Sequence, residues 1–373
     1  MVARLGRWVA AGALGGVLAV VSCGGGGETE AGFTEGGDGE ETAGGSGGQK
    51  GVPPGKAQLA EAWPSADPGA SEAPTGAPTF EAPPAAPKPV VCEGKGGKKG
   101  DRTVTIAHKG LVRTALLHVP ESYDPGKGTT VVLNFHGFSS DGFQEAILSR
   151  MNKASDERGF LAVYPYGVAN SWNAGKCCGT AWLDAVDDVD FVKKLLDTLE
   201  EEYCVDPRRV FSTGMSNGGF MSHRLGCELS DRIAAIAPVA GVIGVAPCTP
   251  PRPVPVLQFH GTEDLLVPYG GGNPVLNVGL EGVLDFPSVA DTMAGWRERN
   301  GCSDASEKIY EEGDAVCVRW AQCAAGSEVT LCTLKDGGHT WPGGVPIPFL
   351  GKTSNDLNAT KAMLDFFEAH PMP

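Results

Sequence analysis

Large apolar side chains are nearly absent between residues 24 and 90, where Gly, Ala, Pro, Ser, Thr and acidic residues dominate. Such a segment cannot bury enough surface to offset its chain entropy, which excludes a packed core there. Positive charge is also scarce. Thirty Lys and Arg stand against 45 Asp and Glu, for a formal net charge of −15. That deficit argues against nucleic acid as a partner. The acid is dispersed rather than blocked, which points to solubility rather than to one cationic ligand. No Cys-x-x-Cys pair and no His/Cys cluster is present, so nothing reads as a zinc site, and no cofactor or metal is expected. No internal repeat is visible. The apolar run near the start, Trp8 to Val21, is too short to cross a hydrocarbon core of ~30 Å.

That run follows Arg4 and Arg7 and ends Val20-Val21-Ser22-Cys23, with four glycines after it. Residues 1–22 are therefore expected to be a signal peptide. The junction resembles a bacterial lipobox, which implies lipidation of Cys23 and an extracytoplasmic chain, either lipid-anchored to the cell envelope or secreted. Residues 23–91 read as a disordered tether, Gly/Glu-rich and floppy first, Pro/Ala-rich and stiffer later, with a coil reach of roughly 45 Å. Contact with a membrane is expected only through the lipid. Beyond Cys23 ten cysteines remain of the eleven, an even number that in an exported chain suggests a disulfide framework. Cys302, Cys317, Cys323 and Cys332 flank one predicted strand pair and are expected to pair among themselves.

From Cys92 the texture changes. Strands are expected over Thr103–Ala107 and Val112–Val119 as a hairpin, then at Val131–Phe135, Phe160–Tyr164, Arg209–Thr213, Ala234–Val239, Val254–His260, Lys308–Trp320 and Glu328–Leu334. Helices are expected over Asp141–Arg158, from Asp187 or Asp188 to Tyr203, over Asn217–Glu228 and Pro287–Asn300, and from about Asn358 to His370. A loop is expected over Tyr166–Ala181. This alternation predicts an α/β domain over residues 92–373, a mostly parallel central sheet with helices on both faces.

The stretch Gly214-Met215-Ser216-Asn217-Gly218 is a Gly-x-Ser-x-Gly pattern between a predicted strand and a predicted helix. A strand that turns sharply into a helix at a serine exposes the hydroxyl beside free helix N–H groups. Ser216 is thus the candidate nucleophile. It needs a base, and the base an orienting acid, in chain order Ser, acid, His. Of the histidines that follow a plausible acid, His370 lies near the C-terminus, whereas His339 lies in a Gly-rich loop after a strand. The acid should follow the Val254–His260 strand, where Glu263 and Asp264 both qualify. Asp264 is preferred, because the run Leu265-Leu266-Val267 should turn it inward and leave Glu263 toward water. An oxyanion hole needs two backbone donors. The N–H groups of Asn217 and Phe138 are the candidates, with His136 bracing the Phe138 loop rather than doing chemistry. Trp172, Asn173 and Trp341 are candidate substrate-binding residues, because indole faces stack on phenolic or sugar rings.

Six stretches occur in family order and spacing: Asn134-Phe135-His136-Gly137, Ser171 to Gly179, Val186 to Val189, Gly214 to Gly219, His260 to Asp264, and Gly338 to Gly344. Together they resemble the exported feruloyl esterase and polyhydroxybutyrate depolymerase-like branch of the serine α/β-hydrolases, over about Cys92 to Pro373. The resemblance implies the α/β-hydrolase fold, with Ser216 as nucleophile, Asp264 rather than Glu263 as acid, and His339 as base. It also implies that Cys177 and Cys178 are disulfide-bonded and structural. Phe138 departs from the family pattern, in which a smaller residue follows His-Gly, and implies a narrowed acyl pocket. The expected activity is ester hydrolysis through an acyl-enzyme, on feruloyl or acetyl esters of plant cell-wall polysaccharide such as xylan. Alternatives are a polyhydroxyalkanoate depolymerase with the same triad and a non-catalytic surface-binding lipoprotein.

Overall fold

The computed structural model describes residues 73–80, 90, 92–275 and 285–373, all within one compact unit, Trp63–Pro373. The expected signal peptide, Cys23 and most of the expected tether lie outside the described residues.

Among the described residues ten strands form one sheet: β1 Gly100–His108, β2 Leu111–Val119, β3 Thr129–Phe135, β4 Leu161–Pro165, β5 Val205–Met215, β6 Ile236–Val239, β7 Val256–Gly261, β8 Glu307–Glu312, β9 Ala315–Trp320 and β10 Val329–Leu334. Their spatial order is β1-β2-β4-β3-β5-β6-β7-β10-β9-β8. The six central strands, β4 to β10 in that order, run parallel. The flanking pairs at each edge are antiparallel. This is the α/β-hydrolase arrangement.

Among the described residues seven α-helices accompany the sheet: α1 Gly142–Ser149, α2 Met151–Arg158, α3 Gly179–Leu183, α4 Asp188–Glu202, α5 Asn217–Glu228, α6 Val289–Arg299 and α7 Ala359–Ala369. Alternation along the central strands sorts the core into two layers. Val131, Leu133 and Phe135 pack with Phe191 and Leu195 of α4, Phe220 of α5 and Trp296 of α6. Val132, with Leu257 and Phe259, faces Met151 of α2 and Met363, Phe366 and Phe367 of α7. Both faces of these strands are buried, which is why they read as continuous apolar runs. Among the described residues no helix is long and apolar enough to cross a membrane.

Side-chain oxygens of Asp141, Asp187, Ser288 and Asn358 cap the amide ends of α1, α4, α6 and α7. All ten cysteines beyond Cys23 are paired, as Cys92–Cys204, Cys177–Cys178, Cys227–Cys248, Cys302–Cys323 and Cys317–Cys332. The last two bridges pair the four cysteines expected to pair among themselves.

Four local expectations are corrected. The single helix expected over Asp141–Arg158 is two helices, because Arg150 adopts a left-handed conformation, φ 54°, between them. Lys308–Trp320 is not one strand but the hairpin β8–β9, which turns at Gly313 with φ 53°. The expected loop over Tyr166–Ala181 contains the start of α3. Finally, residues 73–80, which composition assigns to the tether, are held to the domain. Asn358 N–H donates to Gly76 O at 2.7 Å, and Asn358 Nδ2 donates to Pro74 O at 2.8 Å. The Phe80 ring meets Phe366 edge-on at 5.2 Å. One aromatic side chain in a polar segment suffices to anchor it where a helix end offers hydrogen bonds.

Candidate active site

The C-terminal ends of β5, β7 and β10 lie along one edge of the sheet, and each carries one candidate residue just beyond its end. Ser216 follows β5 directly and begins α5. Its backbone sits at φ 56°, ψ −123°, a conformation costly for any residue but glycine. Ser216 N–H donates to Val239 O of β6 at 2.9 Å, and Ser216 O accepts Phe220 N–H at 2.9 Å, so the turn is held from both sides. The turn can close only because Gly218 lacks a side chain, since a Cβ there would collide with Phe135 O.

Asp264 lies three residues past β7. Its Oδ1 accepts the amides of Leu266 at 2.9 Å and Val267 at 2.8 Å, and its Oδ2 accepts His339 Nδ1–H at 2.7 Å. The carboxylate is 3% exposed, whereas Glu263 points to solvent. Burial by itself would raise the Asp264 carboxyl. The His339 charge and hydrogen bond, His260 and the Val267 amide outweigh it and hold the group below the usual carboxylate range.

His339 lies beyond β10 in the Gly-rich loop. Its own N–H donates to Leu350 O at 2.7 Å, and Gly338 N–H donates to Lys352 O at 2.9 Å, so the loop is fixed against the 348–352 segment. With Nδ1 committed to Asp264, Nε2 is the atom left to handle a proton. Beside His339 opens a cleft of ≈ 160 Å³ lined by Glu263, Leu265, Leu266, Pro348, Phe349, Leu350 and Gly351. Leu265 and Phe349 are 41% and 72% exposed, an apolar rim next to the imidazole.

The strand β3 brings His136-Gly137-Phe138 against the elbow, and a Cβ on Gly137 would stand 3.4 Å from Ser216 Cβ. His136 braces this loop. Its Nδ1–H donates to Gly137 O at 2.8 Å and its Nε2 accepts Gly167 N–H at 3.0 Å. The Phe138 ring is 36% exposed and lies over Gly179 at the start of α3. Asn217 is the first residue of α5. Its buried side chain clasps the Trp172 backbone, accepting Trp172 N–H at 2.7 Å and donating to Trp172 O at 3.1 Å.

Of the three substrate-binding candidates, the two tryptophans are corrected. Trp172 and Trp341 are both fully buried and offer no ring face to a ligand. The Trp172 indole packs edge-on against Phe135 and donates to His136 O at 3.0 Å. The Trp341 indole donates to Thr360 Oγ1 at 3.0 Å. Asn173 is partly exposed and ties its loop to its neighbours. Its N–H donates to Asp188 Oδ2 at 2.8 Å, its Nδ2 donates to Val186 O at 2.9 Å, and its carbonyl accepts Arg224 Nη1 at 2.5 Å. Asp188 in turn forms a buried pair with Arg113 at 2.7 Å.

Sequence reasoning missed His260, whose Nε2 lies 3.4 Å from Asp264 Oδ2. The available signal was its place at the end of a buried strand, four residues before the acid. Among the described residues no three His, Cys, Asp or Glu side chains gather into a set able to hold a metal ion.

No protein-family model matches the chain. The chain is 30% identical over 236 residues to Feruloyl esterase B of Piromyces equi, covering 61% of this chain and 42% of that protein. It is 26% identical over 232 residues to Bifunctional acetylxylan esterase/xylanase XynS20E of Neocallimastix patriciarum, covering 62% of this chain and 31% of that protein. It thus spans less than half the length of either. Among solved structures, the acetyl xylan esterase from Aspergillus awamori is 15% identical with a TM-score of 0.48, over 66% of this chain and 96% of that one. The chain is also 31% identical over 287 residues to "Putative esterase NocK" of Nocardia uniformis subsp. tsuyamanensis, covering 71% of this chain and 81% of that protein. On that likeness and on its own sheet topology, the chain belongs to a family of esterases with the α/β-hydrolase fold.

Proposed function

We propose that this protein is an exported serine esterase that hydrolyses feruloyl or acetyl esters of plant cell-wall polysaccharide through an acyl-enzyme on Ser216. The observation that carries the reading is the 2.7 Å His339–Asp264 hydrogen bond at the sheet edge where Ser216 occupies its strained elbow. The polysaccharide ester as substrate rests on the names of the relatives, Feruloyl esterase B and the acetylxylan esterase/xylanase.

In this reading Ser216 Oγ attacks the ester carbonyl as His339 Nε2 takes its proton, and Asp264 stabilises the imidazolium. The tetrahedral oxyanion is held by the amides of Asn217 and Phe138, beside the positive end of α5. His339 then gives its proton to the departing alcohol, and the same base activates the water that frees the acid. Phe138 above α3 and the cleft of Leu265 and Phe349 beside His339 supply apolar walls for the acyl and alcohol portions.

Five disulfides suit an oxidising compartment. The domain plan in this reading is residues 1–22 as leader, a tether from Cys23 whose residues 73–80 dock on the domain, and a catalytic domain from Cys92. Lipid on Cys23 would anchor it, and Cys23→Ser would then release it from the membrane fraction. Absence of metabolic lipid label on the wild type removes the anchor.

The activity is tested by turnover of methyl ferulate, acetylated xylan and short hydroxybutyrate oligomers. Ser216→Ala is expected to lose on the order of 10⁶ in turnover with the fold retained. Turnover within tenfold of wild type would overturn the reading.

A further inference from the structure

We propose that His260 is a positioning residue for Asp264, kept a neutral donor by a buried chain of directional hydrogen bonds that runs from Trp296 through His223 and Gln258; the proposal rests on the Ser216–His339–Asp264 reading above. The problem it solves is visible at one oxygen. Two imidazoles face Asp264 Oδ2, His339 Nδ1 at 2.7 Å and His260 Nε2 at 3.4 Å. A carboxylate between two imidazoles stabilises a proton on either. Only a proton on His339 serves the reaction, so His260 must be prevented from taking it.

The proton positions follow from groups that can act in one way only. An indole N–H donates and never accepts. Trp296 Nε1–H points at His223 Nδ1 at 3.0 Å, which makes that nitrogen the acceptor. The His223 proton is therefore on Nε2, 3.0 Å from Gln258 Oε1. This turns the Gln258 amide nitrogen toward Gly241 O at 2.9 Å and His260 Nδ1 at 3.3 Å. Two carbonyls give the same answer independently, because a carbonyl only accepts: Gly241 O must face the Gln258 N–H, and Val267 O must face the His260 N–H at Nε2. His260 Nδ1 thus receives an N–H and holds no proton of its own. Its proton stays on Nε2 and points to Val267 O at 2.8 Å, with Asp264 Oδ2 alongside. Protonating His260 would set two donors face to face at Gln258.

The chain is built from three elements. Gln258 and His260 alternate onto one side of β7, His223 lies on α5 behind the nucleophile, and Trp296 lies on α6. All four side chains are 1% exposed or less. Burial pushes His223 down to about 3 and also lowers His260, against the pull of Asp264. The other titratable groups facing the chain are His339, Tyr269, whose ring meets His260 edge-on at 5.9 Å, and Arg299, which lies over the Trp296 ring at 5.7 Å. The arrangement leaves Asp264 one imidazole to charge, and it ties the helix after the nucleophile to the strand that carries the acid.

The test uses the full chain and a soluble ester. Ser216→Ala comes first, and wild-type turnover in that variant sinks the triad reading whatever the relay does. With Ser216→Ala inactive, His260→Leu is expected to lower kcat by roughly 30–100-fold with little change in KM, because a slightly misplaced catalytic group costs on that order. His260→Gln places an amide N–H near the former Nε2 and cannot be protonated there, so it is expected to recover most of the lost kcat. Nitrogen-15 histidine NMR of the wild type should show His260 protonated on Nε2 alone from about pH 5 to pH 9, across the usual imidazole range. Wild-type kcat in His260→Leu, a folded His260→Gln as impaired as His260→Leu, or a doubly protonated His260 above pH 5 each overturns the proposal. Should His260→Leu fail to fold, the glutamine variant and the NMR tautomer decide it.

Discussion

The side-chain amide of Asn217 and the backbone of Trp172 pair through two hydrogen bonds, 2.7 Å from Trp172 N to Oδ1 and 3.1 Å from Nδ2 to Trp172 O. The residue after the candidate nucleophile thereby latches the loop that roofs the elbow. Both partners are buried, so cutting the latch strands two backbone groups away from water. Asn217→Ala is expected to lower stability by about 2–4 kcal/mol and to reduce kcat for soluble esters. Denaturant unfolding and steady-state kinetics check it. Unchanged stability would mean that the latch is redundant.

The adjacent carboxylates Glu263 and Asp264 are expected to behave in opposite ways. Asp264 faces His339 and accepts two amides, whereas Glu263 is exposed. Asp264→Asn should keep the shape and lose roughly 10⁴ in turnover, since the imidazole loses both its tautomer and its counter-charge. Glu263→Gln should change turnover less than about tenfold. A dead Glu263→Gln with an active Asp264→Asn would reassign the acid.

Phe349 is 72% exposed on the rim of the cleft beside His339. An exposed ring in that place contributes to binding the apolar part of an ester or to nothing. Phe349→Ala is expected to raise KM for methyl ferulate about 5- to 20-fold, the loss of one partly buried aromatic contact, and to leave acetate esters nearly unchanged. Parallel shifts on both substrates would remove the ring from substrate selection.

Glu145 on α1 is buried to 1% exposure, and neither of its carboxyl oxygens has a hydrogen-bond partner among the described residues. Burial raises it from 4.5 to about 8. The folded protein therefore holds this proton where the unfolded chain releases it, so stability is fully present below about pH 4.5 and falls as pH rises toward 8. At pH 7 the penalty is on the order of 3 kcal/mol. Glu145→Gln should remove that slope, and the variant should gain on wild type between pH 5 and pH 8 in denaturant titrations. A pH-independent difference between the two proteins would refute it.

Much of this molecule is legible along the chain because the relevant physics is local. The strand-to-helix elbow at Ser216, the Asp187 cap and the alternating runs of β3 and β7 depend on neighbours a few residues away. The inward turn of Asp264 is also local, since the amides that hold it belong to Leu266 and Val267. Along the chain Trp172 and Trp341 are ambiguous, because an indole serves equally as a ligand platform or as core, and folding buries both. What buries these two comes from His136 and Phe135, and from Thr360 on α7, far away in sequence. Composition likewise gave residues 73–80 no reason to dock until Asn358 and Phe366 were folded beside them. The chain from Trp296 to Asp264 joins residues of α5, α6 and β7. The direction of each hydrogen bond in it, and hence which histidine is free to carry charge, follows from distances that tertiary packing sets and no sequence spacing contains.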